Sequence, residues 1–452
     1  MMYQIQIKRQ IHQTVMVPQA ILNQNIRFIS FGKRKSSCRI DGHSGTANNI
    51  FVSTDIAEAL LLPERINIKA VIVHDTLMLG PVVGIFTAGF YKSLLRPIGS
   101  RSMFFSKLIT NGFSTGAFCY IFGSHQIEWD EEYIKGYTFG HTGWKRAAFP
   151  FPDVIYDRLP NRKVERLALY QKIKKKFSEN YSISTFNPGF FNKWHIYQLL
   201  MKNPKTSKYL PVTCCSPTIS QLNGLLDRYQ MIYLKPADGS LGLGVFQLER
   251  RNSGKTISCR FHRRDGSICI EQYPTVEMFL HDQFTGRSLN QYIAQQGICL
   301  LQTEEKPIDF RVHTNKNING EWVVSAMAAK VAGKGNITTH IKNGGTVKSL
   351  NELKLPIDSD NLDFLLRQSA LIISEVIDLS MEGQVGEIGF DFGIDRSGKI
   401  WMFEANSKPG RSIFLHKDLK EADVLTMRFP FQYAAYLMKK SVESGGIYAD
   451  VP

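Results

Sequence analysis

Over roughly the first 75 residues, short runs in which apolar and polar side chains alternate (YQIQIKRQI, NIRFISFG, NIKAVIVHD) are interrupted by Gly, Asn and Ser. That period of two predicts a small β-rich module. From Leu79 to Pro152, apolar runs such as GPVVGIFTAGF and STGAFCYIFG alternate with helix-capable stretches, which predicts an α/β lobe. The most apolar window, Thr76 to Phe90, is too short to cross a bilayer and is broken by Gly80, Pro81 and Gly84, so it reads as buried strand and turn. The segment FPFPDVIYDRLP, 149–160, carries prolines that disfavour helix and turn residues suited to an exposed connection, and it marks a boundary. Beyond it, NRKVERLALYQKIKKKFSENY reads as one amphipathic helix with a basic polar face. A helix opened by Asn192, a strand (LPVT), a helix from near Ser216 and a strand (MIYLK) follow. No solenoid repeat and no low-complexity tract interrupts this series. The expected division is 1–75, 76–160 and 161–440 with a tail at 441–452, in an α/β (α+β) chain.

Composition narrows the class. With 452 residues, 43% hydrophobic and 21% charged, the chain is an ordinary folded protein and not a disordered or fibrous one. Fifty-five Lys and Arg against 40 Asp and Glu leave a formal +15, which favours anionic partners without choosing among phosphates, nucleic acid and polyanionic surfaces. The basic run Lys172, Lys174, Lys175 and Lys176 reads as a solvated helix face, because no aromatic platform or nucleic-acid motif accompanies it. Nucleic acid and membrane are therefore not expected partners. The seven cysteines form no CxxC pair, so reduced thiols in the cytoplasm are expected rather than a disulfide scaffold or zinc ribbon. The N-terminal stretch lacks the continuous apolar core of a signal peptide.

Two segments carry candidate chemistry. In MIYLKPADGSLGLGVFQLER, 231–250, an apolar strand ends on Lys235, a loop holds Gly239, Ser240, Gly242 and Gly244, and a second apolar run follows. Glycines allow backbone N–H groups to approach an anion, and the strand-borne lysine adds fixed positive charge, as in a flap over phosphates. An ordinary glycine-rich hairpin fits this segment equally well. Neither a Walker A loop nor a Rossmann turn does, since no Gly-Lys-Ser/Thr and no helix follows. In GEIGFDFGIDRSGKIWMFEANSKPG, 386–410, the pattern predicts a hairpin with Asp391 on the first strand, DRSG in the turn and IWMFEAN as the second strand. Glu404 and Asn406, two apart, leave one face, while Phe403 and Ala405 leave the other. Asp391 opposite Glu404 and Asn406 would make an all-oxygen cluster suited to Mg2+, ahead of the alternative of a solvated turn acid and a salt-bridged one.

In this order the glycine flap with its lysine, GFDF, FEAN and the following Pro-Gly resemble the ATP-grasp superfamily over about Phe186 to Phe414. More narrowly, LGPVVGIFTAG, FPDVIYDRLP, FNPGFFNKWH, LKPADGSLGLGV, YIAQQGICL, PIDFRVH and FEANSKPG resemble the YheC/YheD family of endospore coat-associated ATP-grasp proteins. The resemblance implies an ATP-grasp domain at 161–440, with two subdomains hinged near 292–300, preceded by a pre-ATP-grasp-like lobe at 76–160. It implies ATP and Mg2+ as cofactors. Lys193 and Lys235 would neutralise α- and β-phosphates, the 239–244 glycines with Ser240 would form the flap, and Gln295, Gln296 and Ile298 would line the adenine hinge. Asp309 and Arg311 would lie near the ribose or acceptor end, with Arg311 and Lys235 taking the catalytic part, and Asp391, Glu404 and Asn406 would hold the metal. The hinge position that is acidic in many relatives is Gln296 here, and His340 stands where related ligases carry asparagine; no role is assigned to His340.

The implied activity is an ATP-dependent carboxylate–amine ligation through an acylphosphate, with an unknown carboxylate and amine as substrates. Arg311, Lys330 and Arg411 are candidate holders of a substrate anion. The competing expectation is a catalytically silent, nucleotide-binding component of the spore coat. In either case the place would be the cytoplasm or the coat, with coat proteins as further partners.

Overall fold

The structure, a computed structural model, describes all residues except 24, 46–47, 240–242, 252–255, 264, 266, 334–343, 354, 356–358, 444–448 and 451–452. Among the described residues the strands form four sheets of nine, seven, six and six strands, and the chain is α/β in the α+β sense. No described helix is long and apolar enough to cross a membrane.

The nine-stranded sheet is built from strands before Gly80, joined at one edge by Ala449–Asp450, which pairs in parallel with Arg34–Ser37. Its alternation is the one the sequence predicts: in Met2–Lys8, Tyr3 and Ile5 are buried while Met2 and Gln4 are exposed. The seven-stranded sheet has a parallel centre, Val82–Phe86 between Phe118–Phe122 and Val154–Asp157. Every residue of these three strands is buried, as expected of parallel strands covered on both faces. Gly84 is required there, because a Cβ would stand 2.8 Å from the Phe122 ring and 2.9 Å from Pro152. One face packs on the first sheet through Phe118, Tyr120 and Phe122. The other is covered by helix Ser102–Ser114 and by helix Lys420–Glu443, whose Met427, Phe431, Tyr433 and Leu437 share a core with Ile85, Ile121 and Phe186.

The helix expected after residue 161 is two, Arg162–Glu165 and Ala168–Tyr181, parted where Leu167 turns extended at φ −64°, ψ 129°. Nor is its lysine run wholly a solvated face. Lys172 and Lys175 are exposed, but Lys174 is buried against Asp157 at 3.2 Å and Lys176 lies 4.0 Å over the Trp129 ring.

The third sheet is antiparallel, with Tyr292–Gln296, Met231–Pro236 and Phe246–Arg251 adjacent at its centre, backed by helices Ile219–Tyr229 and Val276–Gln283. The fourth places Trp322–Val331, Lys306–Lys316, Glu387–Ile394 and Ile400–Asn406 side by side. Ile308, Phe310 and Val312 face its core, under helix Ser359–Ser380. Period-two geometry therefore sends Asp309, Arg311, His313 and Asn315 to the opposite face.

Buried polar contacts fasten this sheet to the lobe before it. Glu387 receives hydrogen bonds from Tyr156 Oη at 2.6 Å and Arg158 Nη1 at 2.7 Å. Asp157, fully buried, pairs with Lys408 at 2.7 Å as well as with Lys174. Asn187 accepts from the backbone N–H of Gly386 at 2.8 Å and of Glu387 at 3.2 Å, and donates to Glu387 O at 2.8 Å and to Ser407 O.

Candidate functional site

Lys193 opens helix Lys193–Met201, whose N-cap Asn192 accepts from the His195 N–H at 2.9 Å through its side chain. Capping fixes where the helix starts and so where the lysine points. Its Nζ donates to Gly239 O at 2.7 Å and pairs with Glu404 at 2.8 Å, joining helix, glycine loop and hairpin. Lys235, on Met231–Pro236, donates to the neutral Gln295 Oε1 at 2.6 Å. Burial draws its ammonium down to about 8 from 10.5; Glu404 opposes that and Lys193 adds to it.

The hairpin pairs Asp391 with Glu404, but the next pair is Phe392 with Met402, leaving Phe403 as an extra residue. This bulge corrects the expected alternation: Phe403 and Glu404 line the same cavity. Asp391 receives Lys330 Nζ at 2.8 Å and Arg311 Nη2 at 3.1 Å, and Lys330 also meets Asp309 at 2.9 Å. Burial alone would lower the Lys330 pKa, yet Asp309 and Asp391 outweigh it and hold it above its usual value. Gly389 makes room for Arg311, since a Cβ there would stand 3.0 Å from Nη1 and 2.5 Å from Pro409.

These groups meet in a cavity of about 770 Å³ between the third and fourth sheets, within the usual range for small-molecule sites. One wall is apolar, with Met231, Tyr233, Val245, Ile298, Leu300 and Phe403; another is charged, with Lys193, Lys235, Lys330, Asp309, Asp391 and Glu404. Of the residues singled out from sequence, Lys193, Lys235, Gly239, Gln295, Gln296, Ile298, Asp309, Asp391 and Glu404 line it. Gly244, Asn406 and Arg311 do not, although Arg311 touches the site through Asp391. Ser240, Gly242 and His340 lie outside the described residues. Sequence reasoning placed no role on Tyr233, Phe403 or Arg260; the aromatic pair flanks Lys235, with ring centroids at 5.3 and 5.7 Å. For Mg2+ the donor set fits in kind: Asp391 and Glu404 are facing carboxylates, hard oxygen ligands on rigid strands. For ATP the fit rests on an apolar wall beside lysines in one cleft of nucleotide size.

Two helix-backed sheets closing on a cleft of lysines and paired carboxylates have the ATP-grasp class of fold. Residues 182–437 match the family described as YheC/D like ATP-grasp, and the chain belongs to that family. It is similar to the endospore coat-associated protein YheD of Bacillus subtilis (strain 168), 42% identical over 433 residues that cover 95% of each chain. Endospore coat-associated protein YheC of the same strain is 22% identical over 318 residues, 68% of this chain and 84% of that one. The D-alanine–D-alanine ligase of Coxiella burnetii aligns with 80% of this chain and 97% of its own, at 12% identity and a TM-score of 0.46.

Proposed function

We propose that the chain binds Mg·ATP in the inter-sheet cavity and is an ATP-dependent ligase joining a carboxylate to an amine or similar nucleophile, associated with the endospore coat. The observation that carries this reading is the meeting of Lys193, Lys235 and Lys330 with Asp391 and Glu404 in one cavity of nucleotide size. Bound there, Mg·ATP would supply the phosphoryl group that turns an acceptor carboxylate into an acylphosphate. Lys193 and Lys235 hold phosphate oxygens, with Gly239 beside Lys193. Gln295, Gln296 and Ile298 meet the adenine edge, and Asp309 stands toward the ribose or acceptor side. Asp391 and Glu404 would hold the metal, with Asn406 two register positions along the hairpin, opposite Gly389. Arg311 and Lys330 face the transferring group. We further assign the region before residue 161 to a lobe that shapes the acceptor side.

The resting ion pairs suit this task. Glu404 is matched by Lys193, and Asp391 by Lys330 and Arg311, so no carboxylate stands alone. With metal and triphosphate bound, Lys193 would turn to phosphate oxygens and Glu404 to the cation, so neither buried charge would be stranded.

A second reading, nucleotide binding without turnover in a coat component, is favoured by the coat association printed in the names of both relatives. Mg2+-dependent ADP release with pooled carboxylates and amines, compared between native protein and Glu404→Gln, separates the two. The ligase reading expects acceptor-stimulated release that Glu404→Gln lowers by about a hundredfold. Nucleotide binding with no acceptor stimulation would leave the second reading in its place.

Lys235 also sets a pH dependence. An ammonium holds phosphate only while protonated, so nucleotide affinity should be full below pH 8 and weaken as pH rises through about 8. Fold stability runs the other way. Because the folded pKa lies below the unfolded 10.5, the unfolded chain binds more protons between the two values and stability rises with pH across that window. Nucleotide titrations on either side of pH 8 check the first, and an affinity that stays flat would remove Lys235 from the phosphates.

A further inference from the structure

The polar face of the fourth sheet continues past the cavity. Along Lys306–Lys316, Arg311 is in register with Asp391, His313 with Gly389 and Asn315 with Glu387. Phe414 roofs this stretch, its ring centroid 5.3 Å from that of His313, and Arg411 lies 4.5 Å over the same Phe414 ring. His313, Arg311 and Arg411 therefore cluster between the sheet and the segment after the Pro-Gly.

Its hydrogen bonding is incomplete. Arg311 Nη1, His313 Nε2, Asn315 Nδ2 and Arg411 Nε are all buried and all without a partner. His313 and Asn315 are 2% and 1% exposed. Buried donors without acceptors carry a full desolvation penalty, so such groups mark a strain or an expected ligand. Here three of the four are N–H donors, two of them on guanidiniums whose Nη2 is already engaged. Arg311 Nη2 is on Asp391, and Arg411 Nη2 is on Asp423 and on Thr426 Oγ1 at 2.7 Å. Burial, then the two arginines, hold the His313 pKa well below its usual value, so its imidazole is neutral and offers a hydrogen bond without adding charge.

We propose that Arg311, His313 and Arg411 form a second anion site, and that the acceptor activated beside Asp391 carries an additional carboxylate held there. Each guanidinium is already paired with one carboxylate and the His313 ring is neutral, so unpaired N–H donors without spare positive charge suit a singly charged carboxylate better than a phosphate dianion. The substrate class is thus a dicarboxylic acid or a peptide with two carboxylates on one end. The proposal rests on the ligase reading for the identity of the activated group, while the site itself is independent of nucleotide.

The test is calorimetric titration of the full chain with glutarate, valerate and inorganic phosphate, each with and without Mg2+ and a non-hydrolysable ATP analogue. Glutarate should bind about tenfold or more tightly than valerate or phosphate. Arg411→Gln should abolish that preference, with folding checked by circular dichroism. His313→Phe, which keeps a ring against Phe414 and removes the donor, should reduce the preference and serves if Arg411→Gln does not fold. Equal binding of glutarate and valerate, a preference that survives both substitutions, or stronger binding of phosphate than of glutarate each overturns the proposal. Failure of the nucleotide analogue to bind while the glutarate preference persists overturns the ligase reading and supports the anion site.

Discussion

Asp391→Asn is expected to reduce Mg2+-dependent turnover by on the order of a hundred- to a thousandfold and to destabilise the fold by about 3–5 kcal/mol. The two effects have one origin. Asp391 is the counter-charge of both Lys330, at 2.8 Å, and Arg311, at 3.1 Å, and its own side chain is only 15% exposed. An amide there leaves two largely buried cations facing each other with Asp309 as the remaining acid, and stranded charge is the costly form of a broken pair. Adding Lys330→Met should return part of the lost stability, because one stranded cation is removed with its partner, and none of the activity. Urea unfolding of the native, single and double variants, with ADP release measured on the same preparations, resolves the two parts. An Asp391→Asn protein as stable as the native one would mean that this cluster is not charged as described.

Asp157→Asn should be nearly as damaging to stability, by about 3–5 kcal/mol, at a place remote from phosphates. Asp157 is fully buried and neutralises Lys408 at 2.7 Å and Lys174 at 3.2 Å, themselves 3% and 10% exposed. Lys408 follows the hairpin of Asp391 and Glu404 by two residues, and Lys174 lies on helix Ala168–Tyr181, so one carboxylate holds three parts of the molecule together. The expected signature is a lower urea midpoint with earlier loss of structure at the junction between lobes, read by hydrogen exchange of residues 154–157 and 400–406. Unchanged exchange in both strands would contradict this account.

Much of the candidate site was legible because its residues sit on regular elements with strong local signals. Asn192 is a sound cap, so the position of Lys193 at the first helical turn follows from sequence. The alternation in 231–236 and 387–394 fixes strands for Lys235 and Asp391, but the register set by the turn would place Phe403 opposite Asp391, and only the bulge brings Glu404 there. What escaped is non-local or depends on a single irregularity. The bulge that turns Phe403 into the cavity has no composition mark, since bulges arise from how two strands settle against each other. The break at Leu167 lacks glycine or proline, and the burial of Lys174 depends on Asp157, which is 17 positions away in the chain. Arg158 and Glu387, 229 positions apart, carry no joint signal in a single sequence. Lys330 was read only as a candidate holder of a substrate anion, and its pairing with Asp309 and Asp391 carries no joint signal in a single sequence.

The sharing of one core between Phe186 and helix Lys420–Glu443 bears on how the protein is made. Gly112 lets that helix close on Ser102–Ser114, where a Cβ would stand 3.0 Å from Phe431. On the ribosome, Phe186 emerges roughly 240 residues before Met427, and Ile121 and Ile85 earlier still, a wait of at least about 10–50 s at ordinary elongation rates. During that interval the middle lobe presents an apolar face with only helix Ser102–Ser114 to cover it, so nascent chains stalled before residue 420 should be held by chaperones and released once the last helix is synthesised.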